Sequence, residues 1–226
     1  MNEPWIIKFG EKEHLEQLLD GKILFHTLSY YRNYEEKENE KGRKDYFEGA
    51  TEIVCPATTK SEIEAFGLPL EEILAAKNIA YIPKDDKYIY CFSSFTETDI
   101  IENKIISDCV LKNTGWEYVL LLKNPNYLVV KLSEVCGEDF RFGKVTYYAD
   151  DQKDKNGLDE FHKDERFNYQ KEFRLSFPVP SEYPPNIEKH DDDSCFVHFG
   201  KTEGFICKTS EFQEKISKPF CKQKNM

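Results

Sequence analysis

No two cysteines in this 226-residue chain stand in a Cys-x-x-Cys pair, although there are seven of them: Cys55, Cys91, Cys109, Cys136, Cys195, Cys207 and Cys221. Zinc-ligand spacing is therefore absent, and an odd count in a chain of this length does not read as a disulfide framework. Long apolar runs are missing too. The longest, "YVLLL" at 118–122, is far too short to cross a bilayer. The opening "MNEPWIIKFG" lacks the extended apolar stretch of a secretory leader. The expectation is a reduced, cytoplasmic protein with no membrane partner. Nor is there a GxSxG, Walker, HExxH or GxGxxG pattern, so no standard hydrolase, NTPase, zinc-protease or Rossmann signature applies.

Charge and aromatics are plentiful. The chain carries 42 Asp and Glu against 31 Lys and Arg, a net charge of −11. Such a chain repels nucleic acid overall, while leaving room for a local basic groove. Seventeen Phe and thirteen Tyr favour strands over a helical bundle. The length suits one domain over 1–226 with a sizeable core.

Patterning predicts strands at 5–9, 22–28, 51–57, 88–96, 116–122, 127–132, 142–148 and 171–177, with a closing hairpin of 194–200 and 204–208. Helices are expected at 11–21, 61–67, 69–77, 99–111, 158–167 and 210–216. The Pro-rich acidic stretch 178–194 reads as a surface loop and 218–226 as a basic tail. The fold class is α+β, with a mainly antiparallel twisted sheet and short flanking helices.

Two acidic stretches fail as metal sites. "DDQKDKNG", registered as a calcium loop on Gly157, puts Gln152 and Lys163 where oxygen ligands belong. "HDDDS" at 190–194 reads as a solvated turn. His26, on a predicted strand, is a catalytic candidate weighed against a structural role. In "YQKEFRLSF" (169–177), Glu172, Arg174 and Ser176 share one strand face, and Phe173, Leu175 and Phe177 share the other. The polar face is either an exposed strand with an ion pair or the wall of a cleft.

The stretch "SYYRNYEEKENEKGRKDYFEGA" (29–50) poses the same choice. Its middle reads as solvated, with Glu35 the one residue there that could face inward. Its ends place Tyr30, Tyr31 and Arg32, then Arg43, Asp45 and Glu48, close to one another in sequence. Arginine forks and aromatic faces suit a nucleotide pocket; they equally suit a structural ion-pair network.

Taken together, "KFGEKEHLEQLLDGKILFHTLSYYRNYEE…RKDYFEG", "YIYCFS" and "YQKEFRL" resemble AbiGi-type abortive phage-resistance proteins and related uncharacterised bacterial families. The resemblance covers 7–50, 88–95 and 169–177. It implies an antiviral, toxin-like role whose partner is a protein or nucleic-acid acceptor, or a phage component. More distantly, the strand, the helix ending "LLDGK" and the second strand are similar to the entry unit of ADP-ribosyltransferase-like folds. That similarity implies an NAD cleft, with Glu172 as the catalytic carboxylate and His26 beside it. Tyr31, Arg32, Arg43, Asp45, Glu48 and Arg174 would line the pocket, with Arg32 or Arg43 on the pyrophosphate and Tyr30 or Tyr31 on the nicotinamide. The first strand departs from that pattern, offering Lys8 where His or Arg is usual. A binding module that senses a nucleotide or phage component, and a metal-dependent nuclease using Asp45, Glu48 and Glu172, stand as alternatives.

Overall fold

The computed structural model describes residues 4–34, 48–54, 79–81, 85–96, 98–99, 116–149 and 155–212. In chain order these form β1 (Trp5–Gly10), α1 (Lys12–Leu19), β2 (Lys22–Thr27), α2 (Leu28–Asn33), β3 (Glu52–Val54), β4 (Ile79–Tyr81), β5 (Lys87–Phe95) and β6 (Tyr118–Leu122). Then come α3 (Pro125–Cys136), β7 (Arg141–Lys144), β8 (Thr146–Tyr148), β9 (Lys155–Asn156), β10 (His162–Asp164) and a 3-10 turn (Glu165–Gln170). The last strands are β11 (Glu172–Pro178), β12 (Ile187–Lys189), β13 (Ser194–His198) and β14 (Gly204–Lys208). The architecture is mixed α+β. Nine strands form an antiparallel sheet ordered β12-β13-β2-β5-β1-β6-β14, with β11 joined to β5 and β7 to β11, beside two small sheets. Among the described residues no helix is long and apolar enough to cross a membrane.

The pairing around β5 decides where a site can form. Ile89 pairs with both Ser176 of β11 and His26 of β2, while Ser93 pairs with both Glu172 of β11 and Ile7 of β1. β1 and β2 therefore share the edge of β5 that lies opposite β11. Each holds only part of that edge: β1 covers 93–95 and β2 covers 88–89. β1 then leaves to pair with β6 and β2 to pair with β13. Between them a notch opens over Tyr90, Cys91 and Phe92. Lys8 reaches into it, its ammonium donating to the Cys91 carbonyl at 2.7 Å.

Strand alternation sorts the side chains into two cores. One face buries Ile6, Phe25, Tyr88, Phe92, Leu120, Leu175 and Phe177 beneath Leu15 and Leu18 of α1 and Leu128 and Leu132 of α3. The other gathers Ile7, Phe9, Phe95, Val119, Cys207 and Phe212.

Four expectations are corrected. Residues 127–132 are helical, within α3. Asn124 accepts from the Tyr127 amide and Pro125 stands in the first turn, and the buried pair Leu128 and Leu132 is spaced four apart, so capping and helical spacing override the β-branched content. Residues 158–167 are not one helix. Asp159 accepts from the Phe161 amide and Asp164 from the Arg166 amide, and these local bonds divide the segment into β10 and a 3-10 turn. β13 and β14 do not form a hairpin: β13 pairs with β2 and β14 with β6, on opposite flanks of the notch. The stretch 178–194 contains β12, which pairs with β13. The expected helices at 61–67 and 69–77 lie outside the described residues.

The connection between β13 and β14 is anchored at Gly21. Gly21 has φ +92°, and a Cβ there would come within 2.3 Å of the Gly200 backbone. The Phe199 amide donates to the Gly21 carbonyl at 2.9 Å. Gly21→Ala should therefore lower stability by at least about 2 kcal/mol, measured as the urea midpoint. An unchanged midpoint would show that this junction carries no strain.

Candidate functional site

β11 delivers Glu172 and Arg174 to the cleft side of the sheet, while Phe173, Leu175 and Phe177 face the core. The polar face is not a solvated surface. Arg174 is fully buried, and Glu172 and Ser176 are buried beside it. Glu48, the Glu160 carbonyl and Lys163 of β10 close over Glu172 and Arg174.

The covering side chains form a closed charge cluster. Arg174 Nη1 donates to Glu48 Oε1 at 2.5 Å and also to the Glu160 carbonyl. Arg174 Nη2 donates to Glu172 Oε2 at 2.6 Å. Lys163 Nζ donates to Glu172 Oε1 at 2.7 Å and lies 3.6 Å from Glu48 Oε2. Two cations thus meet two carboxylates, away from water. Burial pushes the Glu172 pKa up, but the charges of Lys163 and Arg174 and their hydrogen bonds win, holding it far below the ordinary value. Nearby, burial and the charge of Glu172 push the Cys91 thiol up to about 12, which makes it a poor nucleophile at neutral pH.

An aromatic wall stands on the β2 side. Thr27 caps α2 by accepting from the Tyr30 amide at 3.1 Å, which folds Tyr30 back over His26. Their rings stack at 4.0 Å with 16° between planes. Tyr31 lies edge-on, 5.3 Å from Tyr30 and 6.1 Å from His26.

The notch, the wall and the charge cluster border one cleft of about 590 Å³. Its β1 side includes Lys8, Phe9 and Trp116, its β2–β13 side Lys22, His26, Tyr30 and Phe196, and its floor Cys91, Ser93, Glu172 and Arg174. Four cations (Lys8, Lys22, Lys163, Arg174) stand against three carboxylates (Glu11, Glu48, Glu172). The cleft is thus far less acidic than the chain as a whole.

Of the residues singled out from sequence, Glu172, Glu48 and Arg174 lie in the charge cluster, and His26, Tyr30 and Tyr31 line the same cleft. Arg32 does not line it. Its Nη1 donates to the Glu48 carbonyl at 2.7 Å, and its side chain borders a separate hollow of about 70 Å³ with Asp85, Asp86 and Asp159. Arg43, Asp45 and Glu35 lie outside the described residues. Sequence reasoning missed Lys163, because the predicted helix over 158–167 hid its place on β10. It also missed Lys22, for which no local motif gives a signal.

The charge cluster has a consequence for acid stability. Glu172 has a depressed folded pKa, so its contribution is fully present above the unfolded carboxylate range and is lost as pH falls towards the folded value. Urea midpoints should therefore drop steadily once pH goes below about 4.5. A flat profile down to pH 3 would contradict the ion pairing.

No protein-family model matches this chain, and neither a curated protein nor a solved structure matches it.

Proposed function

We propose that the cleft binds NAD and that the protein is an ADP-ribosyltransferase-like effector of antiviral defence, passing ADP-ribose to a macromolecule. The observation that carries this reading is the notch between β1 and β2, where a fixed carboxylate, an aromatic wall and cations border one space. Its volume falls within the usual range for small-molecule sites, roughly 300–1,000 Å³. The lining also suits a dinucleotide: His26, Tyr30 and Tyr31 offer flat faces on the β2 side and Trp116 on the β1 side, and Lys8 and Lys22 border the same space.

NAD supplies a ribose whose bond to nicotinamide breaks, leaving positive charge on the anomeric carbon. Glu172 is placed to stabilise that charge and to accept from a ribose hydroxyl. Lys163 and Arg174 each take one lone pair of its two oxygens, so acceptor capacity remains. Being held on both oxygens, it needs no reorganisation during the reaction. The His26–Tyr30 stack and Tyr31 provide the surface for the nicotinamide ring. Glu48 neutralises Arg174, so Glu172 does not carry that burden alone.

The test is nicotinamide release on incubation with NAD and cell lysate, unaffected by chelator. Absence of release across RNA, DNA and protein acceptors would overturn the reading. The double ion pairing of Glu172 favours one rival, a nucleotide-sensing binding module in which the cluster is structural. That rival predicts thermal stabilisation by NAD without release, and harmless expression. The nuclease reading has less support, because Arg174 and Lys163 already neutralise Glu48 and Glu172.

A further inference from the structure

An anionic ligand in the cleft needs a cation whose charge is not already taken. Lys163 and Arg174 are matched by Glu48 and Glu172 within the buried cluster. The Arg174 Nε is buried with no hydrogen-bond partner among the described residues. An uncharged oxygen, such as a hydroxyl or a carboxamide, satisfies such a donor without upsetting the charge balance. Lys8 is directed at the Cys91 carbonyl and lies 4.2 Å from the centre of the Tyr90 ring, on the sheet side of the notch.

Lys22 differs from all three. It opens β2, immediately after Gly21, so the Gly21–Gly200 junction fixes its backbone. Its ammonium stands 3.8 Å over the Phe196 ring, and His190 meets the same ring edge-on at 5.0 Å. Lys22, Phe196 and His190 all line the cleft. Among the described residues no carboxylate lies within ion-pair distance of Lys22. A ring under an ammonium holds it in place without neutralising it and leaves its N–H groups available to an anion.

We infer that Lys22 is the phosphate-binding residue of the cleft, and that the ligand is a phosphorylated nucleotide lying with its phosphates at the Lys22–Phe196–His190 end and an uncharged ribose over Glu172 and Arg174. The expectation from sequence put Arg32 or Arg43 on the pyrophosphate: Arg32 is turned to the Glu48 carbonyl outside the cleft, Arg43 lies outside the described residues, and Arg174, within the cleft, is charge-balanced. The inference rests on the cleft being the ligand site proposed above, but its test does not need turnover.

The test is calorimetric titration of the full chain with ADP, inorganic pyrophosphate and adenosine. ADP and pyrophosphate should bind. Lys22→Gln should weaken both by about tenfold or more, with a shallower dependence of affinity on salt, while Lys22→Arg stays within about threefold of the parent. Adenosine, lacking phosphate, should bind the parent and Lys22→Gln alike. Failure of the parent to bind ADP and pyrophosphate, or equal binding by Lys22→Gln, overturns the inference. Lys22-dependent ADP binding without nicotinamide release would sink the transfer reaction and leave this site standing. Release with Lys22-independent ADP binding would do the reverse.

Discussion

Arg174→Met should lower stability by about 3–5 kcal/mol at neutral pH, because it strands buried carboxylates without their main counter-charge. Glu48 and Glu172 are both buried, and among the described residues Arg174 is the one that donates to both. Lys163 remains, but it lies 3.6 Å from Glu48, beyond hydrogen-bonding range. The pH dependence should weaken. In the parent, Glu172 has a depressed folded pKa, so acid removes its contribution. In Arg174→Met, Glu172 keeps only Lys163 against the effect of burial, so its folded pKa rises relative to the parent. Acid then removes less from the variant than from the parent, and the deficit relative to the parent should shrink as pH falls from about 7 to about 4. Urea midpoints of both proteins across that range measure this directly. A deficit that is constant with pH would mean that lost packing, not stranded charge, is responsible. Adding Glu48→Gln to the variant should recover much of the loss, since Lys163 then stays paired with Glu172 and neither partner is left behind.

Glu172→Gln should reduce nicotinamide release by at least about 100-fold. The substitution keeps the shape and leaves a carbonyl oxygen to accept from one of the two cations, but it removes the charge that stabilises the developing cation on the ribose. It also leaves Lys163 and Arg174 opposite Glu48 alone, which should cost about 1–3 kcal/mol of stability. The two effects separate by experiment. In the proposed placement ADP keeps its phosphates at Lys22, and its ribose can still donate to the amide oxygen that replaces the carboxylate, so its affinity should stay close to the parent value. Loss of release together with loss of ADP binding would point to a collapsed cleft. Release at the parent rate would remove Glu172 from the chemistry.

The sequence made β11 legible because a strand with Glu172, Arg174 and Ser176 on one face and three large apolar residues on the other has a single sensible orientation. It also made β1, α1 and β2 legible, where short amphipathic patterns end on Gly21. Periodicity could not show what covers the polar face. That information sits in Glu48, Glu160 and Lys163, which are far from β11 in sequence or lie in segments whose local hydrogen bonds override propensity. The α3 helix was hidden in the same way: "YLVV" reads as strand until the Asn124 cap and Pro125 are given weight. The notch itself has no local signature. It arises because β1 and β2 compete for one edge of β5 and are drawn apart by β6 and β13. Lys22 gains its place from that divergence, and so a lysine at the start of a strand gave no hint of function.

The most direct measurement is a crystal structure of Glu172→Gln, chosen to slow turnover, grown with NAD. The expected result is a dinucleotide in the notch, with a ribose hydroxyl within hydrogen-bonding distance of residue 172, the nicotinamide against His26, Tyr30 or Tyr31, and the pyrophosphate at Lys22. NAD bound away from the cleft, or no binding to a variant that is folded and still takes up ADP, would contradict it.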